Sequence, residues 1–126
     1  PEQLDVFCER LQGVVIENSD ALQVIGTHDG PDTLTYCDPP YVMSTRDKGK
    51  DYNHEMTDAD HRALADRLHA IKGMAIISGY ACDLYDELYA DWKRVDFKAL
   101  ADGAQKRMES LWLCPRTTRQ ALRLDI

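Results

Sequence analysis

Over residues 2–11 the apolar positions Leu4, Phe7, Cys8 and Leu11 fall at i, i+3, i+4 and i+7, which predicts an amphipathic helix broken by Gly13. Val14-Val15-Ile16 is short, continuous and β-branched, the pattern of a strand buried on both faces. A short helix over 21–27 follows, with Ser19 or Asp20 as the residue that caps its free N–H groups. After the turn-like His28-Asp29-Gly30-Pro31-Asp32, the run Thr33-Leu34-Thr35-Tyr36-Cys37 reads as a buried strand. Residues 42–53 have no hydrophobic period and read as a long polar loop. Thr57, with acidic Asp60 three positions on, opens a helix whose stripe Leu64, Leu68 and Ile71 runs to Lys72 and stops at Gly73.

Met74-Ala75-Ile76-Ile77 is the next buried strand and ends in Ser78-Gly79-Tyr80. Leu84, Leu88 and Trp92, with Tyr85 and Tyr89 alongside, mark a further helix whose aromatics pack into a core. Alternation over 93–100 and 109–114 predicts two strands, and the link through Asp102-Gly103 is too short for a helical crossover, so they pair antiparallel. Pro115 ends the pattern and leaves a basic tail over 116–123. The sum is one α/β domain over 1–126, a mostly parallel sheet with one reversed strand near its edge. Strands joined by helical crossovers run parallel, so Asp20, Asp38 and Ser78 are expected together at their carboxyl ends, where open α/β sheets bind ligands.

Composition narrows this only a little. A hydrophobic content of 44% supports one core. No apolar run approaches the roughly 18 residues of a membrane span, and the first residues lack the pattern of a signal peptide, so a cytoplasmic setting is expected. Cys8, Cys37, Cys82 and Cys114 are widely spaced and read as reduced thiols. A net charge of −7 argues against a free-standing nucleic-acid binder. With Pro1 in place of an initiator methionine, the chain reads as a piece whose basic partner region lies elsewhere.

The candidate chemistry centres on Asp38-Pro39-Pro40-Tyr41, which sets a carboxylate, two stiffened peptide units and an aromatic ring side by side at a strand end. In the adjoining loop Arg46, Lys48 and Lys50 have the charge to meet phosphates or to form a solvated face. His61 sits on the side of Leu64 and either points toward the loop carrying Tyr41 or is simply packed or exposed. His54, Glu55 and His61 match no zinc spacing, so no metal is expected. Cys37 has no basic partner nearby in sequence and reads as a packed residue.

The chain resembles the C-terminal half of Dam-like DNA adenine methyltransferases, on Glu17-Asn18-Ser19-Asp20-Ala21-Leu22, residues 33–41, Ser44-Thr45-Arg46, residues 52–57, Ser78-Gly79-Tyr80 and Arg107-Met108-Glu109-Ser110-Leu111-Trp112. The resemblance implies a partial Rossmann-like methyltransferase fold, S-adenosylmethionine as methyl donor and a flipped adenine in double-stranded DNA as acceptor. It makes Asp38, Pro39, Pro40 and Tyr41 catalytic, Asp20 and Asp38 cofactor-binding, and Tyr41, Ser44, Thr45, Arg46 and Tyr52 substrate-binding. The glycine-rich cofactor loop and the target-recognition segment have no counterpart, since the chain contains no Gly-x-Gly. The isolated chain is therefore expected to be inactive, with a partner chain, as in a homodimer, or an unusual strand pairing covering an exposed sheet edge. The alternatives are a non-catalytic remnant or dimerisation module, and a methyltransferase acting on RNA or a protein amide. A proline-rich ligand fits least, because its prolines need to be exposed and repeated.

Overall fold

A computed structural model describes residues 2–46, 53–100 and 106–124. Helix α1, Glu2–Leu11, forms as its spacing predicts and ends before Gly13, whose φ of 83° suits a residue without a Cβ. Helix α2, Ala21–His28, starts at Asp20, whose carboxylate accepts the Gln23 N–H at 3.1 Å. Strand β1, Leu34–Cys37, leads into the Pro-Pro turn and a single 3₁₀ turn at Met43–Thr45. Helix α3, Asp58–Ala70, opens on a reciprocal cap: the Thr57 hydroxyl accepts the Asp60 N–H and the Asp60 carboxylate accepts the Thr57 N–H. Strand β2, Met74–Gly79, helix α4, Asp83–Leu88, and strands β3, Lys93–Leu100, and β4, Lys106–Leu113, follow, and helix α5, Pro115–Leu124, closes the described chain.

The sheet order is β1-β2-β4-β3. β1 and β2 pair in parallel through Leu34↔Met74 to Cys37↔Ile77, and β4 pairs antiparallel with both β2 and β3. Three strands thus point one way and β4 is the reversed strand, next to the edge. The architecture is mixed α/β. One side of the sheet carries the core: Ala75, Ile77 and Trp112 pack with Leu64 and Leu68 of α3 and with Tyr85, Tyr89 and Trp92. Tyr85, Tyr89 and Trp112 meet at ring separations of 5.1–6.2 Å, so the aromatics pack as expected.

Three expectations are corrected. Residues 14–16 form no strand, and Val15 and Ile16 are 77% and 93% exposed. A β-branched run needs a ladder partner, and among the described residues none pairs with it. The run 33–37 is a strand, but not a buried one. β1 lies at the sheet edge, and its residues alternate, with Leu34 and Tyr36 exposed and Thr35 and Cys37 half-buried. The expected basic tail is helical instead: Pro115 takes the first helical position, where its missing N–H is harmless and its φ is already suitable. Buried Thr117 anchors α5, since its hydroxyl donates to the Ala75 carbonyl at 3.0 Å and accepts the Ala75 N–H at 3.1 Å.

Candidate active site

Parallel pairing of β1 with β2 brings the two strand ends together. Cys37 pairs with Ile77, so the next residue on each strand, Asp38 and Ser78, are neighbours just beyond the ladder. Ser78 is buried and donates its hydroxyl proton to Asp38 Oδ1 at 2.7 Å. Asp38 itself is exposed. Pro39 and Pro40 carry the chain away from the sheet, and Val42, fully packed in the core, pins the far side of the turn. Tyr41, half-buried between these anchors, meets Tyr80 edge-to-face at 4.7 Å. Burial is the main cause pushing the Tyr41 phenol up to about 12, with Glu109 and Asp38 adding to it and Ser78 opposing, so the ring is neutral at ordinary pH.

Two cavities flank the motif. One, of about 800 Å³, has Asp20, Asp38, Pro39 and Pro40 in its wall, with Leu22, Ile25 and Tyr36 as apolar lining and Glu55 and Asp60 among its polar lining. The other, of about 710 Å³, is lined by Ser44, Thr45, Tyr80, Cys82 and Met108. The structure therefore joins Asp20 to Asp38 in one wall and sets Ser44 and Thr45 apart in the second cavity. The Thr45 hydroxyl donates to the Val42 carbonyl at 2.6 Å, closing the 3₁₀ turn. Arg46 forms a two-pronged ion pair with Glu55, and both side chains are about nine-tenths buried. Tyr52, Lys48 and Lys50 lie outside the described residues.

Cys37 and His61 are packed groups. Burial pushes the Cys37 thiol up to about 11, so it is not a thiolate nucleophile. His61 is packed rather than directed to solvent: its Nδ1 faces the Tyr85 hydroxyl at 3.0 Å. Burial depresses its basicity, helped by Arg46 and opposed by Asp58 and Asp60. Among the described residues no three His, Cys, Asp or Glu side chains converge as a metal site would require, and no helix is long and apolar enough to cross a membrane.

Sequence reasoning placed Ser78 at the right sheet edge without giving it a role, and did not find Tyr36 in the cavity wall. The signal for Ser78 was a lone hydroxyl at the end of an apolar strand, and it acquires meaning only once the β1–β2 register is known.

The family model for the D12 class N6 adenine-specific DNA methyltransferase matches residues 1–108. No curated protein matches the chain. With most of its length matched, and with Asp38, Pro39 and Pro40 in the wall of a ligand-sized cavity, the chain belongs to the D12 class of N6 adenine-specific DNA methyltransferases.

Proposed function

We propose that the chain is the catalytic part of an enzyme that moves a methyl group from S-adenosylmethionine to the exocyclic amine of an adenine turned out of double-stranded DNA, on a partial Rossmann-like sheet. The observation that carries this reading is the Asp38 carboxylate, exposed at a strand end, held by Ser78 and set at the rim of the cavity shared with Asp20. Adenine's amine is a poor nucleophile because its lone pair is delocalised into the ring. Asp38 and the Pro39 carbonyl accept the amine's two hydrogens and localise that pair, the charged acceptor contributing about 1.5–3 kcal/mol. The rigid turn holds both acceptors in place before substrate arrives.

Tyr41 stacks on the extruded base, worth about 1–3 kcal/mol, against the few kcal/mol lost on unstacking. Ser44 and Thr45 meet the DNA from the second cavity, and Tyr52, outside the described residues, is assigned to the same task by the family resemblance. Arg46 joins them by exchanging Glu55 for a phosphate. No strong base is needed, since the product ammonium loses its proton to water.

The residues present suit the cofactor in part. A volume of about 800 Å³ lies within the range of ligand pockets. The wall of Leu22, Ile25 and Tyr36 suits a purine, and the carboxylates of Asp20 and Asp38 suit a cation. When bound, S-adenosylmethionine supplies a methyl group activated by a positive sulfur. Asp20, with one oxygen engaged by the Gln23 N–H, holds the adenine of the cofactor. The glycine-rich cradle then belongs to a segment outside this sequence, which contains no Gly-x-Gly.

One observation favours a second reading, a non-catalytic dimerisation module: Leu4, Phe7, Leu11, Val15 and Ile16 are all well exposed, an apolar surface that a second copy would cover. Calorimetric titration with S-adenosylmethionine, for the chain alone and with the glycine-rich segment of the same parent protein supplied, tests the first reading. Binding only with that segment is the expected result; tight binding by the chain alone contradicts the division of the site.

A further inference from the structure

Ser78 is the only hydroxyl in β2 and is 3% exposed. A buried hydroxyl is costly unless it is bonded, and this one has a single proton to share among the Cys37 carbonyl, Asp38 Oδ1 and the Tyr41 hydroxyl, the last of which has a proton of its own to give. The Cys37 carbonyl lies at 3.3 Å, longer than an ordinary O–H···O bond, and Asp38 Oδ1 lies at 2.7 Å. The proton therefore belongs to Asp38. β2 is paired on both sides, with β1 and with β4, so the hydroxyl is presented from an interior strand of the sheet.

The geometry points to Ser78 as a positioning residue that aims the Asp38 carboxylate. Its bond occupies Oδ1, fixes the plane of the carboxylate and leaves Oδ2 for a hydrogen of the target amine. Asp38 is exposed and would otherwise turn among several rotamers, most of them misdirected. This inference rests on the reading of Asp38 as an acceptor for the adenine amine. Ser78 is assigned no contact with substrate or cofactor: it acts through Asp38, and it also neighbours the Tyr41 hydroxyl.

The test is steady-state methylation of duplex DNA by the full-length methyltransferase carrying Ser78→Ala, Ser78→Cys or Asp38→Ala. Loss of one charge-assisted bond predicts a fall in kcat of about ten- to a hundredfold for both Ser78 variants. KM for DNA and calorimetric cofactor affinity stay at wild-type values. Alanine and cysteine bracket serine in size, and cysteine donates only weakly, so a residue that only fills space keeps its turnover in at least one of the two variants, and that result overturns the inference. Thermal unfolding of Ser78→Cys separates a folding defect from a misdirected carboxylate: a lost kcat at unchanged melting temperature supports positioning, and equal losses of both overturn it. If Asp38→Ala is inactive while both Ser78 variants turn over normally, the inference fails alone. If Asp38→Ala is active, the reading of Asp38 fails first.

Discussion

The carboxylate of Asp29 accepts the backbone N–H groups of both Lys72 and Gly73, at 2.9–3.1 Å. Two neighbouring donors on one side chain tie the turn before β1 to the turn before β2 and so set the register that puts Asp38 beside Ser78. The Lys72 N–H is the first of the causes that hold the Asp29 carboxyl below its ordinary value of 3.8, and the Gly73 N–H acts in the same direction. A depressed carboxylate stabilises the fold above its unfolded value and loses that contribution as pH falls through the folded one. Asp29→Ala is expected to lower the urea midpoint at pH 7, with the gap to wild type closing once both are measured well below pH 3.8.

Gly73 admits no side chain. A Cβ there would lie 2.4 Å from the Thr33 carbonyl oxygen and 2.5 Å from that of Gly30, both backbone atoms that cannot swing aside. Gly73→Ala should cost about 3 kcal/mol or more in chemical unfolding. Gly13→Ala, where φ is 83° but nothing lies within 4 Å, should cost only about 1–2 kcal/mol. Equal losses at the two positions would contradict this packing.

His61 gives the fold a second acid-sensitive point. Burial lowers its folded-state value below the ordinary 6.5, so the native protein takes up fewer protons than the unfolded chain as pH falls. Stability is fully present above pH 6.5 and declines below it, until the folded-state value is passed. Unfolding midpoints compared at mildly alkaline and mildly acidic pH should fall for wild type and fall less for His61→Gln.

Thiol chemistry reports on burial. Cys8 is exposed on α1, whereas Cys114 is buried and the Cys37 thiol is pushed up to about 11. Mass spectrometry after brief iodoacetamide treatment should find Cys8 alkylated first and Cys37 and Cys114 last. Early modification of Cys37 would contradict a packed role.

Local signals were the legible ones. The Thr57–Asp60 cap, the Asp20 cap and the stripe Leu64, Leu68 and Ile71 depend on residues within one or two helical turns, and each is found where the sequence places it. The parallel pair around Met74–Gly79 and the antiparallel hairpin were legible from run lengths and the short link between them. Residues 14–16 were misread because strand formation is not a local property; the same β-branched run is a strand only when a neighbour offers its backbone. α5 was missed because its charge pattern reads as a basic tail, while its anchor is polar: Thr117 docks on Ala75 across the fold. The bond from Ser78 to Asp38 needs a register that only the folded sheet supplies.

The central claim is that the Asp38 carboxylate faces the amine of the target adenine, and methyl transfer to duplex DNA by Asp38→Ala in the full-length methyltransferase tests it most directly. Asp38 is exposed, so its loss leaves the core intact. The account predicts a fall in kcat of about a hundredfold or more at unchanged melting temperature. Turnover within about twofold of wild type, from a folded variant, would contradict it.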